Sequence, residues 1–424
     1  MLKAIRNILG KTNNVTRSSY LWNSINAVLN AAQSTVILMV IMRTGGLRDS
    51  GVFSIAYAVA TLLMFVGQYG LRRFQSSDID EKYSFGEYYG IRIITCIVMI
   101  LASLAYCVYG SIFKAYGMEK FLVIMLVCLV KTVQAFSDVF HGRMQQMGRL
   151  DIATRSSSAR YVAETGVFCL VMFVTNDLLA ASIAYLAAAV IGFLLTTFNA
   201  AVDFCDFHPS FKGDKMKQLL IEGFPLFVSL FLNMYLCNAP KYAIDAYLTE
   251  EIQAIYNLIF MPAFVVQMVA HFIFNPILTS YAIVWNDRDI RKFTRLVLRQ
   301  MLLVLGLTIL GLAVAATIGI PVLSWLFNAD LSGYTPDLCI VMLGGGMLAY
   351  ATFFNTVITI IRMHRTLLFT YGAAALAAFG LSGYFVVNYG MRGATVLFAV
   401  VMTILAVMLG IILFVKLRKE RKNL

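Results

Sequence analysis

Long apolar runs, each ended by a short charged or polar segment, recur along the whole 424-residue chain. Each run has about 18 residues or more, enough for an α-helix to cross the ~30 Å hydrocarbon core of a bilayer. Strands of a membrane barrel would alternate apolar and polar residues over about ten positions, and these runs do not alternate. Only 13% of the residues are charged, against about 25% in a typical soluble domain. The sequence therefore predicts an all-α integral membrane protein.

The runs predict twelve transmembrane helices in two six-helix lobes. The first six lie near residues 18–42, 51–71, 88–110, 121–145, 156–175 and 178–202, and the last six near residues 218–242, 252–282, 297–320, 335–361, 366–388 and 391–415. Halves of like orientation are expected for a parallel repeat about a pseudo-two-fold axis normal to the membrane. We therefore expect an N-terminal lobe at 1–202, a cytoplasmic linker loop at 203–217, and a C-terminal lobe with a basic cytoplasmic tail at 218–424.

The basic residues lie mostly on one side of the predicted helices. Of the 34 Lys and Arg residues, 27 fall in the terminal segments and in the loops on the same side, and six fall on the other. This tally assigns Arg92 and Arg160 to loop regions and leaves Lys131 in the middle of a run. Such alternation follows the positive-inside rule for both termini in the cytoplasm. The net charge of +12 is thus an orientation signal that can also contact anionic membrane lipid, and no nucleic-acid partner is expected.

Several classes of site are not expected from the motifs. The first run follows a basic segment, but it is too long for a signal peptide and lacks a small-residue cleavage site, so it reads as an uncleaved span. The seven cysteines are scattered without a CxxC pair, which argues against a metal site or a disulfide framework. No P-loop, HExxH or GxSxG motif is present. We expect a transporter with no catalytic residue and no cofactor.

Polar residues recur inside four runs at spacings of three, four and their multiples. They are Asn23, Asn26, Asn30 and Gln33 in the first run, Lys131, Gln134, Asp138, His141 and Gln145 in the fourth, Ser229, Asn233, Lys241 and Asp245 in the seventh, and Asn257, Gln267, His271 and Asn275 in the eighth. Such spacing keeps the side chains on one helical face. A polar stripe against lipid is costly, so each stripe is predicted to face protein or water.

Two interpretations of these stripes stay open. Interhelical hydrogen bonds worth about 0.6–2 kcal/mol each would explain the amides as structural. Ionisable residues at depth are more often functional, and Lys131, Asp138, Glu164 and His271 are of that kind. Arg160 and Glu164, at i and i+4, can form a local ion pair that is either structural or functional. A polar interior with cationic members suits a polar, anionic head group.

Short motifs stand in a fixed order along the chain. They are Gly51-Val-Phe-Ser-Ile-Ala-Tyr-Ala, Gln68-Tyr-Gly-Leu-Arg-Arg73, Leu220-Ile-Glu-Gly-Phe-Pro-Leu-Phe-Val-Ser229, Asn275-Pro-Ile277 and Tyr389-Gly-Met-Arg-Gly-Ala394. In this order they resemble Wzx-type lipid-linked oligosaccharide flippases of the polysaccharide transporter family, which serve the biosynthesis of O-antigen and other polysaccharides. That family shares a superfamily with multidrug and toxin extrusion proteins and the peptidoglycan-precursor flippase.

The resemblance implies a function and a location. The protein would move undecaprenyl-diphosphate-linked oligosaccharide repeat units from the cytoplasmic to the outer leaflet of the bacterial inner membrane by alternating access. A polysaccharide polymerase or a chain-length regulator is a candidate partner. We expect the head group to contact Asn30, Arg43, Lys241 and His271.

Further roles follow on the same hypothesis. Arg72 and Arg73 are candidate first contacts for the diphosphate, although positive-inside anchoring explains them equally well. Asp138, Glu164 or Asp245 could couple the cycle to H⁺ or Na⁺, because carboxylates can carry either.

Two other classes of function remain alternatives. A small-molecule or multidrug cation antiporter would share the fold, and efflux of a cationic dye that depends on a groove carboxylate would favour it. A membrane polysaccharide polymerase or glycosyltransferase would also have many spans. Such enzymes usually carry a long external loop with catalytic charges, whereas the external loops here are short, so this class ranks last.

Overall fold

The computed structural model describes residues 2–78, 80–211, 213–274, 278–361 and 363–422, with the side chains of 267–274, 278–280, 282, 364–365 and 422 left out. Within these ranges the regular structure is helical. The helices are α1 Leu2–Gly10, α2 Val15–Thr44, α3 Gly46–Gln68, α4 Leu71–Ser77, α5 Phe85–Phe113, α6 Met118–Gln146, α7 Leu150–Thr175, α8 Leu178–Ala201, α9 Gly213–Tyr247, α10 Glu250–Phe274, α11 Leu278–Asn286, α12 Ile290–Phe327, α13 Thr335–Ile360 and α14 His364–Lys422.

Ten of these helices are long and apolar enough to cross a membrane, namely α2, α3, α5, α6, α7, α8, α9, α12, α13 and α14. The all-α membrane prediction is therefore confirmed. Two spans, α8 and α12, contain a π-helical stretch, at Phe193–Phe198 and Ala315–Gly319. The 59-residue α14 is interrupted at Gly390, whose φ of 56° lies in the left-handed region that glycine adopts without strain. Gly390 falls between the eleventh and twelfth apolar runs.

The chain divides into two compact units, residues 1–231 and 232–424. In the first unit, α6 lies at the centre and packs against α3, α5, α7 and α8, while α2 packs against α7 and α3. An aromatic cluster around Phe140, which includes Phe85, Tyr89, Phe136 and Phe193, fills the space between α5, α6 and α8. The central position of α6 makes its polar stripe an interior feature.

The boundary between the units lies inside α9, and not in the predicted linker at 203–217. The first half of α9 packs on the N-terminal unit: the Phe227 ring stacks on Tyr69 at 4.6 Å between centroids, and Glu222 pairs with Lys82 at 2.9 Å. The segment before α9 is also held there, because the Ser210 amide donates to the Gly86 carbonyl at 2.8 Å. These contacts were not readable from loop length, which is why the sequence placed the boundary earlier.

In the C-terminal unit, α13 occupies the central place and packs against α10, α12 and α14. Three consecutive glycines make that possible. A Cβ at Gly344 would lie 2.4 Å from the Phe398 ring, one at Gly345 would lie 3.0 Å from the Ala263 backbone, and one at Gly346 would lie 2.4 Å from Thr308. A side chain at any of them would push a neighbouring helix away from α13.

Candidate functional site

The polar stripe of α6 is buried. Lys131, Gln134, Asp138 and His141 are all more than nine-tenths buried, at spacings of three and four along the helix. Helical periodicity keeps them on one side of α6, and α3, α5, α7 and α8 all pack around that helix. The prediction that this stripe faces protein and not lipid is confirmed.

Glu164 is the point at which three helices meet through hydrogen bonds. Its side chain is fully buried on α7, and its Oε2 atom accepts from Gln33 Nε2 at 3.1 Å and from Gln134 Nε2 at 3.0 Å. The Arg160 Nε atom lies 3.3 Å from Oε1, so the predicted i, i+4 ion pair is present. Arg160 also donates to Ser137 Oγ at 2.7 Å. The carboxylate is thus matched by one guanidinium and two amides.

Asp138 is held by two arginines. Arg92 Nη2 lies 3.1 Å from Oδ2 and Arg72 Nη1 lies 3.2 Å from Oδ1. A second nitrogen of each guanidinium group is also used, because Arg92 Nη1 donates to the Gly67 carbonyl at 2.6 Å and Arg72 Nη2 donates to Gln145 Oε1 at 3.2 Å. Two cations on one carboxylate leave one net positive charge at this place.

Lys131 has only neutral partners. Its ammonium donates to Gln134 Oε1 at 3.0 Å and to the Tyr57 hydroxyl at 3.2 Å, and it lies 4.4 Å from the centroid of the Tyr57 ring. The side chain is 2% exposed. The ammonium is well hydrogen-bonded, but its charge is not neutralised by a carboxylate within 4 Å among the described residues.

The C-terminal unit contains a second buried lysine with fewer partners. Lys241 is 8% exposed, and its ammonium lies 4.9 Å from the Phe260 ring centroid. Tyr256 stacks on Phe260 at 5.5 Å and shares a face of α10 with Gln253. Among the described residues, the Tyr256 hydroxyl and both polar atoms of the Gln253 amide are buried without a hydrogen-bond partner, and no carboxylate lies within 4 Å of Lys241.

A charge asymmetry runs through these buried groups. In the part of the chain that the structure describes, every buried carboxylate has a basic partner within 4 Å. The pairs are Glu87–Lys215 at 3.4 Å, Asp138–Arg92 at 3.1 Å, Asp151–Arg149 at 3.0 Å, Glu164–Arg160 at 3.3 Å and Asp337–Arg392 at 3.6 Å. Lys131 and Lys241 lack such a counterion. The two buried lysines therefore differ from the buried carboxylates, because neither has a partner of opposite charge within 4 Å among the described residues.

The remaining predicted site residues lie at the surface of their units or only partly beneath it. Asn30, Arg43 and Arg73 are exposed, and Asp245 is half-buried on α9. Arg72 is about one-third exposed and joins Asp138 directly, so the structure unites a predicted substrate contact with a predicted coupling residue. The side chain of His271 lies outside the described residues.

Arg92 and Arg160 correct the loop-charge tally. They are 0% and 1% exposed and lie inside α5 and α7. Helix α5 begins at Phe85, behind a capping box formed by Ser84 and Glu87, so Arg92 lies two turns inside it. Helix α7 begins at Leu150, well before the predicted start at 156. The Ser-x-x-Glu capping signature was the available sequence signal for Arg92.

Tyr57 was also missed from the sequence. Its hydroxyl accepts a hydrogen bond from Lys131. Tyr57 belongs to a series of hydroxyl residues on α3, Ser50, Ser54, Tyr57 and Thr61, at spacings of four, three and four. That spacing was the available sequence signal.

The sequence and the fold are similar to those of known proteins. The sequence matches the family model described as "Polysaccharide biosynthesis protein" over residues 17–282, and no curated protein matches it. Three solved structures with the same fold are an inward-facing multidrug resistance MATE family transporter of the MOP superfamily, the lipid II flippase MurJ in its inward closed conformation, and the Vibrio cholerae MATE transporter VcmN in the bent form.

All three proteins are similar to this chain in structure but distant from it in sequence. The first has 13% identity over 95% of this chain and 99% of that chain, with a TM-score of 0.69. MurJ has 12% identity over 91% and 86%, with a TM-score of 0.68. VcmN has 13% identity over 99% and 98%, with a TM-score of 0.59. At such identities the likeness establishes the fold and leaves the cargo to be argued from the site.

Proposed function

This chain belongs to the polysaccharide biosynthesis protein family, and from that premise we propose that it is a flippase for lipid-linked oligosaccharides. It moves undecaprenyl-diphosphate-linked repeat units from the cytoplasmic to the outer leaflet of the bacterial inner membrane, with both termini in the cytoplasm. A polysaccharide polymerase or a chain-length regulator would act on or beside its product.

The buried charge carries this proposal. Taking a charge out of water costs several kcal/mol unless a counterion or ligand compensates it. The described carboxylates that are buried have basic partners, whereas Lys131 and Lys241 have no carboxylate partner. An anionic cargo supplies the missing charge, and a diphosphate is anionic at neutral pH. Neutral amides and phenols such as Gln253 and Tyr256 supply hydrogen-bonding groups of the kind that sugar hydroxyls use.

A cation antiporter of the multidrug type is the second candidate. The fold likeness to MATE transporters favours it as strongly as the likeness to MurJ favours a flippase. A cationic drug requires a carboxylate whose charge is not already neutralised by the protein. Asp138 and Glu164 are each paired with arginine, which argues against binding of a cation at either residue. An enzymatic role as a polymerase ranks last.

The proposal includes twelve spans in two six-helix lobes and transport by alternating access. Ten helices have the length and hydropathy of a span, and α10 adds 25 further residues of apolar helix. The break of α14 at Gly390 would divide that helix into two spans. Coupling to H⁺ or Na⁺ through Asp138, Glu164 or Asp245 is part of the same proposal. Of these, Asp138 is the least suited, because two guanidinium groups already compensate its charge.

The purified protein in proteoliposomes tests the proposal. A lipid-linked oligosaccharide with a fluorescent sugar is incorporated, and its loss of access to a membrane-impermeant oxidising enzyme reports flipping. We expect Lys241→Met to lower the rate about tenfold or more, which corresponds to at least about 1.4 kcal/mol. The matched control is Lys217→Met, which removes an exposed lysine of α9 and should leave the rate unchanged.

Two results would overturn the assignment. Wild-type flipping by Lys241→Met and by His271→Ala, at normal abundance, would remove the proposed roles of both residues. Pumping of a cationic dye by vesicles that do not flip the lipid-linked sugar would establish the antiporter.

A further inference from the structure

The short helix α1 is fastened to the N-terminal unit by its backbone. Arg155 Nη1 donates to the carbonyls of Leu9 at 3.1 Å and Lys11 at 2.7 Å, and Arg149 Nη2 donates to the Gly10 carbonyl at 3.0 Å. These are carbonyls at the carboxyl end of α1, which have no partner inside the helix itself. Asn199 Nδ2 donates to the Leu2 carbonyl at 2.8 Å at the other end. The helix is therefore held at both of its ends.

A cavity of about 470 Å³ lies between α1 and the ends of α7 and α8. Its size falls within the ~300–1,000 Å³ typical of ligand sites. Its polar lining includes Arg6, Asn7, Lys11, Arg149 and Asp203. Because α1 is fastened on either side of it, the cavity is present without any rearrangement.

The charged side chains around this cavity carry one net positive charge. Arg6 pairs with Asp203 at 2.8 Å, and Arg149 pairs with Asp151 at 3.0 Å. Lys11 has no carboxylate within 4 Å in the described part of the chain. One net positive charge, flanked by two guanidinium groups and the Asn7 amide, matches a group that carries a single negative charge and several acceptor oxygens.

The exposed surface of α1 is mixed. Leu2 is 51% exposed and Ile8 is 72% exposed, and Lys3, Ala4 and Asn7 are exposed as well, while Leu9, at 8%, packs into the hydrophobic core of the N-terminal unit. A helix with exposed apolar and basic residues can lie in the membrane interface with its apolar side chains among the lipids. A cavity beside a helix in that position would be at the level of the lipid head groups.

We propose that this cavity is a binding site for the phosphate of an anionic phospholipid of the cytoplasmic leaflet. A phosphodiester carries one negative charge at neutral pH and supplies acceptor oxygens to Lys11, Arg6 and Asn7. The acyl chains run past Leu2 and Ile8 into the bilayer. This site is separate from the proposed cargo contacts, and it stands whether or not the cargo is a lipid-linked sugar.

Thermal unfolding of the purified full chain in a neutral detergent tests the site. The probes are dihexanoyl phosphatidylglycerol, dihexanoyl phosphatidylcholine and inorganic phosphate. A ligand that binds only the folded protein raises Tm in a concentration-dependent way. We expect the phosphatidylglycerol to raise Tm of the wild type by a few degrees and the phosphatidylcholine to leave Tm unchanged.

Charge variants separate this site from general attraction between a basic protein and an anionic lipid. The double variant Arg6→Gln/Lys11→Gln should lose most of the shift, whereas Arg418→Gln/Lys419→Gln, which removes two exposed cations from the tail, should keep it. If the double variant fails to fold, Lys11→Gln alone, at an exposed position, should still lower the shift at subsaturating lipid.

Three outcomes would overturn the proposal. The first is an equal loss of the shift in the tail variant, which would mean unspecific electrostatic attraction. The second is full protection by inorganic phosphate alone, which would make the ligand a soluble phosphate. The third is an unchanged shift in Lys11→Gln and in the Arg6→Gln/Lys11→Gln variant.

Discussion

The two units bury charge in different ways. In the N-terminal unit, Glu164 and Asp138 contact arginines and amides from α2, α4, α5, α6 and α7. In the C-terminal unit, Lys241 lies against the Phe260 ring, and the nearby Tyr256 hydroxyl has no partner among the described residues. Glu164 and Asp138 thus have partners of opposite charge, whereas Lys241 has no carboxylate partner among the described residues. Lys131, in the N-terminal unit, lies between the two cases, because it lacks a carboxylate partner but donates to Gln134 and Tyr57.

Buried charges that have a partner and buried charges that lack one are expected to serve different purposes. A paired network costs much to break, because each removed member leaves another charge buried and alone. An unpaired buried charge costs free energy in the folded state and persists where a function requires it. Substitutions that break the Glu164 and Asp138 pairs should therefore lower stability first, and substitutions around Lys241 should lower transport first.

Glu164→Gln should have the largest effect on stability. It leaves the Arg160 guanidinium buried without a counterion, and breaking a buried pair in this way costs about 3–5 kcal/mol. The loss is measured by urea or thermal unfolding of the purified protein. The double variant Glu164→Gln/Arg160→Met removes both charges and should recover most of the loss. A double variant that is less stable than Glu164→Gln alone would contradict the pairing argument.

Lys131→Met should have an intermediate effect. The ammonium has no counterion to leave behind, but its removal strands the Gln134 Oε1 atom and one bond to the Tyr57 hydroxyl. An unsatisfied buried acceptor costs about 1–3 kcal/mol, and the loss of an uncompensated charge offsets part of it. We expect a net loss of about 1–2 kcal/mol in unfolding. If Lys131→Met is as unstable as Glu164→Gln, then Lys131 contributes as much to stability as the Glu164–Arg160 ion pair.

Lys241→Met should preserve stability and lower transport, in contrast to Glu164→Gln. Replacing a buried charge that has no hydrogen-bonded partner by an apolar side chain of similar length should leave the free energy of unfolding unchanged or raise it by about 1 kcal/mol. Flipping should fall in the same preparation. A loss of stability of about 2 kcal/mol or more would mean that Lys241 has a structural role, and it would remove the contrast between the units.

The polar stripe of α6 was predictable because a single helix fixes it. Spacings of three and four decide which side chains share a face, and a stripe with Lys131 and Asp138 cannot face lipid without large cost. The partners of that stripe were not predictable. Arg92 and Tyr57 come from other helices, and the rotation and register that bring them to Asp138 and Lys131 are set by packing between helices.

The fold, too, was predictable where it depends on one segment and unpredictable where it depends on contacts between segments. Apolar runs predicted the membrane helices, because length and hydropathy are properties of one segment. The place where one unit gives way to the next was not predictable, since it depends on which helix the first half of α9 touches. The stacking of Phe227 on Tyr69 and the pair of Glu222 with Lys82 move that boundary to Phe231.

A pair of tyrosines gives the smallest and most specific test within the C-terminal unit. The Tyr350 hydroxyl donates to the Met301 carbonyl at 2.8 Å, whereas the buried Tyr256 hydroxyl has no partner among the described residues. Tyr350→Phe should therefore lower stability by about 0.5–1.5 kcal/mol, the net worth of one hydrogen bond. If the flippase proposal holds, Tyr256→Phe should leave stability unchanged and slow flipping, because its hydroxyl would bind the cargo. If Tyr256→Phe is instead the less stable of the two and flips at the wild-type rate, the Tyr256 hydroxyl has a structural role, and the proposed cargo contact at this residue is wrong.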